Sequence, residues 1–171
     1  IKVRDESRTC INIIDKSTNI HTELLEPGPH ISQDKINEFF ELFTDLVKDC
    51  SAVVLSGSAP PGIDTNIYKE LISIAKKANK KVLLDSSKNY LAEGLKGLPT
   101  LVKPNKSEVE QLLGKKLNDT QDVLDAAREL IQMGTTIASI SMGDRGVVCA
   151  SNTVNEAYWA IPPKIQPVNT V

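Results

Sequence analysis

The 171-residue sequence has no run approaching the eighteen or so consecutive apolar residues that a membrane-spanning helix needs, and no basic, apolar, small-residue order at its start. A spanning segment and an export signal are therefore not expected, and the chain reads as a soluble cytoplasmic protein with no membrane partner. Charge of one sign is also missing. Lys and Arg number 20 against 22 Asp and Glu, a net charge of -2, which is not the profile of a phosphate-backbone reader, so nucleic acid is not expected as a partner. Cysteine is scarce: Cys10, Cys50 and Cys149 are odd in number and widely spaced, which argues against a disulfide framework or a zinc site and for reduced thiols in the core. The two histidines, His21 and His30, have no metal spacing with a second His or Cys. No Walker pattern occurs, nor a G-x-G-x-x-G after a strand with an acid about twenty residues on, which disfavours a Rossmann-type oxidoreductase.

What is present is ordinary for a globular domain: 40% hydrophobic and 25% charged residues. At about 150 residues per domain, the length provides one core with a small appendage. Cys10–Ile14 and Ile20–Leu25, separated by polar residues, read as a β-hairpin. Behind the candidate cap Ser32, apolar residues from Ile36 to Val47 recur at helical spacing. Short apolar runs at 52–55, 82–84, 101–102, 136–140 and 146–150 alternate with amphipathic helices, one carrying Ile67, Leu71, Ile74 and Ala75 and another running from Val123 to Ile131 and ending at Gly134. The alternation predicts an α/β fold with a mostly parallel sheet flanked by helices, its continuous apolar strands buried on both faces. In such sheets ligands gather beyond the carboxyl ends of the strands, so the polar residues after each apolar run are the candidate site.

Each candidate has a structural alternative. Lys103-Pro-Asn-Lys-Ser-Glu108 follows a strand and opens a helix: Asn105 and Lys103 suit phosphate oxygens and Glu108 suits Mg²⁺, directly or through water, but Asn105 and Glu108 equally make a capping box. Ser141-Met-Gly-Asp-Arg-Gly146 is either a glycine-rich turn or a phosphate cradle in which Ser141, Gly143 and Gly146 let backbone amides approach an anion. Ser56-Gly-Ser-Ala-Pro-Pro-Gly62 is a stiff loop or a substrate contact through its hydroxyls. Asp85 is a metal or substrate ligand, or a cap for the helix after it. Arg8 has the shape for bidentate phosphate recognition, although a lone surface arginine is more often only solvated.

The order and spacing of Ser-Arg-Thr-Cys-Ile-Asn-Ile at 7–13, Thr-Glu-Leu-Leu-Glu-Pro-Gly-Pro at 22–29, Leu-Ser-Gly-Ser-Ala-Pro-Pro-Gly at 55–62, Leu-Leu-Asp-Ser-Ser at 83–87, Val-Lys-Pro-Asn-Lys-Ser-Glu at 102–108 and Ser-Met-Gly-Asp-Arg-Gly at 141–146 resemble the ribokinase-like carbohydrate kinases of the phosphofructokinase B family. Within that family the sequence is most similar to tagatose-6-phosphate kinase and 1-phosphofructokinase. The resemblance implies ATP-dependent phosphorylation of a ketohexose phosphate, with Mg²⁺. It implies substrate binding by Arg8, on the phosphate already present, and by Ser58. It implies an ATP side made of Lys103, Asn105, Ser141, Gly143 and Gly146, with Glu108 at the metal; Asp85 is added as a metal candidate from its strand-end position.

By the same resemblance, residues 1–29 would be part of a β lid and the return to the core, residues 30–171 a partial α/β core, and the lid a homodimer contact. Ala59 and Lys88 depart from the pattern, standing where leucine and glycine are more usual. Pro167–Val171 matches the lead-in to the family's Gly-Ala-Gly-Asp segment, so the general-base aspartate is expected just after Val171 and the N-terminal half before Ile1. The 171 residues alone are accordingly expected to be inactive. The competing reading is a fragment that binds nucleotide or sugar phosphate without chemistry.

Overall fold

Short β-branched runs around a polar turn pair as expected: β1 (Cys10–Asp15) and β2 (Ile20–Leu25) form an antiparallel hairpin with Cys10 opposite Leu25 and Asp15 opposite Ile20. The computed structural model describes residues 1–18, 20–154 and 156–164, so the segment Pro167–Val171 lies outside the described residues. Asp15 organises the turn, its carboxylate accepting from the Ser17 and Thr18 hydroxyls at 2.6 and 2.7 Å and from the Ser17 N–H at 2.8 Å. Those bonds, the Ser17 hydroxyl first, hold the Asp15 carboxyl down at about 2.

The main sheet has six strands in the spatial order β3 (Ala52–Ser56), β4 (Lys81–Asp85), β5 (Leu101–Val102), β6 (Ile137–Ser141), β7 (Val147–Ser151), β8 (Ala157–Ala160). Pairing is parallel from β3 through β6 and antiparallel from β6 through β8. The helices are α1 (Gln33–Leu46), α2 (Ile67–Lys77), α3 (Lys88–Leu95), α4 (Lys106–Leu113) and α5 (Thr120–Gln132). The sequence reading had no strand at β8, whose four residues are too few to show a period.

Burial alternates along the strands instead of running through them. Val82, Leu84, Val102, Ala138, Ile140, Val148 and Ala150 share one buried face and meet Ile72, Leu91 and Leu130 of the helices. On the other face Leu83, Leu101, Ile137 and Cys149 are half-buried and Val54 is exposed. Each fully buried Leu or Ile contributes roughly 1.5–3 kcal/mol.

The expectation of core thiols holds only for Cys50, which is half-buried and packs against the core; Cys10 is exposed and Cys149 is half-buried. Cys10 lies on a two-stranded hairpin that pairs with no further strand among the described residues, and Cys149 on the less covered face of β7.

Candidate functional site

Because β3 to β6 run parallel, their carboxyl ends deliver the polar runs of the sequence to one edge of the sheet. Backbone bonds tie these runs together. Gly57 N–H donates to the Asp85 carbonyl at 2.9 Å, Lys103 N–H to the Leu84 carbonyl at 2.9 Å, and Ser141 N–H to the Pro104 carbonyl at 3.1 Å. An isolated parallel bridge joins Asn105 to Ser141, which puts the Asn105–Glu108 segment beside the Ser141–Gly146 loop. The Gly57 carbonyl accepts from Ser86 Oγ at 2.7 Å and from the Tyr68 hydroxyl at 3.0 Å. Burial, with Tyr90 beside it, pushes the Tyr68 phenol up, so it remains a donor at neutral pH.

Asp85 and Lys103 meet as an ion pair, Nζ to Oδ2 at 3.1 Å, with 34% and 45% of their side chains exposed. Asp85 is thus not the cap of α3, a position that Ser87 takes. Asn105 and Glu108 make the full capping box: the Asn105 side chain accepts from Glu108 N–H at 2.9 Å, and Glu108 Oε2 accepts from Asn105 N–H at 2.8 Å. Glu108 also lines a cleft of about 870 Å³ together with Ser58, Lys88, Tyr90 and Leu25. The cleft therefore brings together the βα loop, the start of α4 and the end of the hairpin.

Arg8 is exposed and lies outside that lining, yet close to it. A Cβ placed on Gly28 would sit 3.6 Å from Arg8 Cβ and 3.9 Å from Pro60 Cβ, so Arg8 and the Ser56–Gly62 loop flank the same glycine.

The two glycines of the Ser141–Gly146 loop serve different ends. Gly143 has φ +64° with nothing within 4 Å of where a Cβ would stand, leaving its backbone open to an approaching group. Gly146 has φ +90°, and a Cβ there would lie 2.0 Å from the Ala160 carbonyl oxygen, so that glycine is required by β8. The Trp159 indole N–H donates to the Arg145 carbonyl at 2.8 Å and buttresses the loop from β8.

Sequence reasoning missed Tyr68 and Trp159 as residues that shape this edge. Tyr68 reads as one more apolar helix position, and Trp159 stands on a strand too short to recognise. Lys88, at the end of the polar run that follows β4 and where the family's pattern more often has glycine, has φ +52°, the left-handed conformation that glycine adopts without strain.

A mostly parallel α/β sheet with its polar loops at one edge and a separate β-hairpin beside it defines a ribokinase-like fold. The family comparison agrees: the chain belongs to the pfkB family of carbohydrate kinases, whose model matches residues 1–171. Among solved structures it is similar to phosphofructokinase-2 from Escherichia coli, with 26% identity, a TM-score of 0.86 and coverage of 97% of this chain and 53% of that one. It is also similar to a Thermotoga maritima protein described as a possible 1-phosphofructokinase, with 26% identity, a TM-score of 0.78 and coverage of 88% and 48%. The chain thus spans about half the length of these relatives.

Proposed function

We propose that these residues form part of an ATP-dependent kinase that phosphorylates a ketohexose phosphate, tagatose 6-phosphate or fructose 1-phosphate, to the bisphosphate. The observation that carries the reading is the cleft in which Ser58, from the loop matched to sugar binding, and Glu108, from the motif matched to metal and nucleotide, face the same space. Ser58 would orient the sugar and Arg8, across Gly28 from the same loop, would anchor its existing phosphate.

On the nucleotide side, Lys103, Asn105, Ser141, Gly143 and Gly146 supply an ammonium, an amide, a hydroxyl and a glycine-bearing turn. Gly146 serves by shaping the turn, while the open backbone at Gly143 is the part that a phosphate can approach. Glu108, lining the cleft, is a hard oxygen donor of the kind Mg²⁺ takes, and one carboxylate suffices where phosphate oxygens and water complete the shell. Bound there, Mg²⁺ would neutralise charge on the transferring phosphoryl group. Asp85, held by Lys103, would orient that lysine and be a weaker candidate for the metal.

The test is an ATP-consumption assay of the full-length protein against both ketohexose phosphates, with its intact mass measured alongside. Turnover of either compound, with a mass well above 18.7 kDa, supports the reading. ATP or sugar-phosphate binding without turnover of either would replace it with a binding protein.

A further inference from the structure

Lys88 departs from an ordinary surface lysine in its backbone conformation, its place on a helix and its position on a cleft. Its φ of +52° lies in the left-handed region, which a side chain bearing Cβ adopts only under strain. Among the described residues the other non-glycine positions at positive φ, Asn79 and Leu98, follow the C-terminal ends of α2 and α3, where left-handed residues commonly terminate a helix. Lys88 instead opens α3, so its ammonium is carried on the helix end whose free N–H groups already present positive charge. None of the ion pairs among the described residues engages it. It lines the cleft of about 870 Å³ with Ser58 and Glu108.

An exposed cation carried on a repelling helix end and against the wall of a cleft has its charge compensated when an anion occupies that cleft. Glu108 is a carboxylate lining the same cleft, and it is already engaged in capping α4. We propose that Lys88 is a phosphate-contacting residue of this cleft, a cation added where the sequence pattern of the family more often has glycine. The inference rests on the kinase reading above, and the phosphate is that of the sugar or that of the nucleotide.

The experiment compares the full-length protein with its Lys88→Gly and Lys88→Arg variants. Calorimetric dissociation constants and KM values are measured for ATP and for the ketohexose phosphate, together with thermal melting. Glycine accepts the φ of +52° without strain, so Lys88→Gly should melt no lower than the parent, which separates loss of the charge from loss of the fold. The expected result is a five-fold or larger weakening for one phosphate compound in Lys88→Gly, largely restored in Lys88→Arg. Weakening confined to the sugar phosphate assigns the contact to the sugar, and weakening confined to ATP assigns it to the nucleotide. Unchanged constants for both compounds in Lys88→Gly, in a protein that turns over, overturn this inference alone. A wild-type protein that turns over neither ketohexose phosphate overturns the kinase reading and this inference with it.

Discussion

Glu108 is asked to do two things with different chemical requirements. As a cap, its oxygen need only accept from the Asn105 N–H, which a glutamine does as well; as a metal ligand it must be charged. Glu108→Gln in the full-length protein therefore separates the roles. Melting should stay within about 0.5 kcal/mol of the parent, while turnover falls at least ten-fold and half-saturation by Mg²⁺ moves to higher concentration. An unchanged magnesium titration would leave Glu108 as a cap only. Gly146 and Gly143 make a second contrast. Gly146→Ala drives a Cβ to within 2.0 Å of the Ala160 carbonyl at a φ of +90° and should cost roughly 2–4 kcal/mol in urea unfolding. Gly143→Ala meets nothing within 4 Å and should cost only about 1 kcal/mol, its main effect being on nucleotide affinity. Equal destabilisation by the two would show that β8 does not hold the loop.

Among the elements, the hairpin depends most visibly on one ionisable group. Asp15 has its pKa lowered to about 2, so the stability it gives the turn is fully present above the ordinary carboxylate value and is lost as pH falls through about 2. Protection factors at Ser17 and the β1–β2 pairs, with exchange rates corrected for the intrinsic pH dependence of amides, should hold from neutral pH to about 4 and then fall towards pH 2. Asp15→Asn should flatten that dependence. The other extreme is α4, whose start is fixed by a capping box readable from Asn105 and Glu108 in the sequence, and whose end at Gly114, φ +66°, is a glycine cap. The α4 box shows why the element was legible and its function was not. The same two side chains satisfy a helix end and match a nucleotide motif, and local spacing cannot say which duty is exercised.

At the scale of the molecule, the β1–β2 hairpin presents Ile11, Ile13, Ile20 and Leu24 on one face, each about half exposed, from 49% to 59%. A contiguous apolar face on a two-stranded sheet is the kind of surface that association covers. A lid-mediated homodimer, as expected from the sequence, would use this face. Size-exclusion chromatography with light scattering should find the full-length protein dimeric and Ile13→Asp monomeric with an unchanged circular dichroism spectrum, because Ile13 is exposed in the single chain. A dimeric Ile13→Asp would move the contact elsewhere. The sequence by itself determined the alternation of strands and helices, the hairpin, the α4 cap and the residues that match the family's motifs, because periodicity, turn chemistry and motif order are local properties of a chain. Only the tertiary structure decided which of those motifs share space: parallel pairing of β3 to β6 brought Ser58 to Glu108, Lys103 to Asp85 and Asn105 to Ser141. It likewise showed Gly146 to be required by Ala160 and Lys88 to be strained on a cleft wall. Those facts depend on strand order and on backbone angles set by long-range packing, which no local window of residues contains.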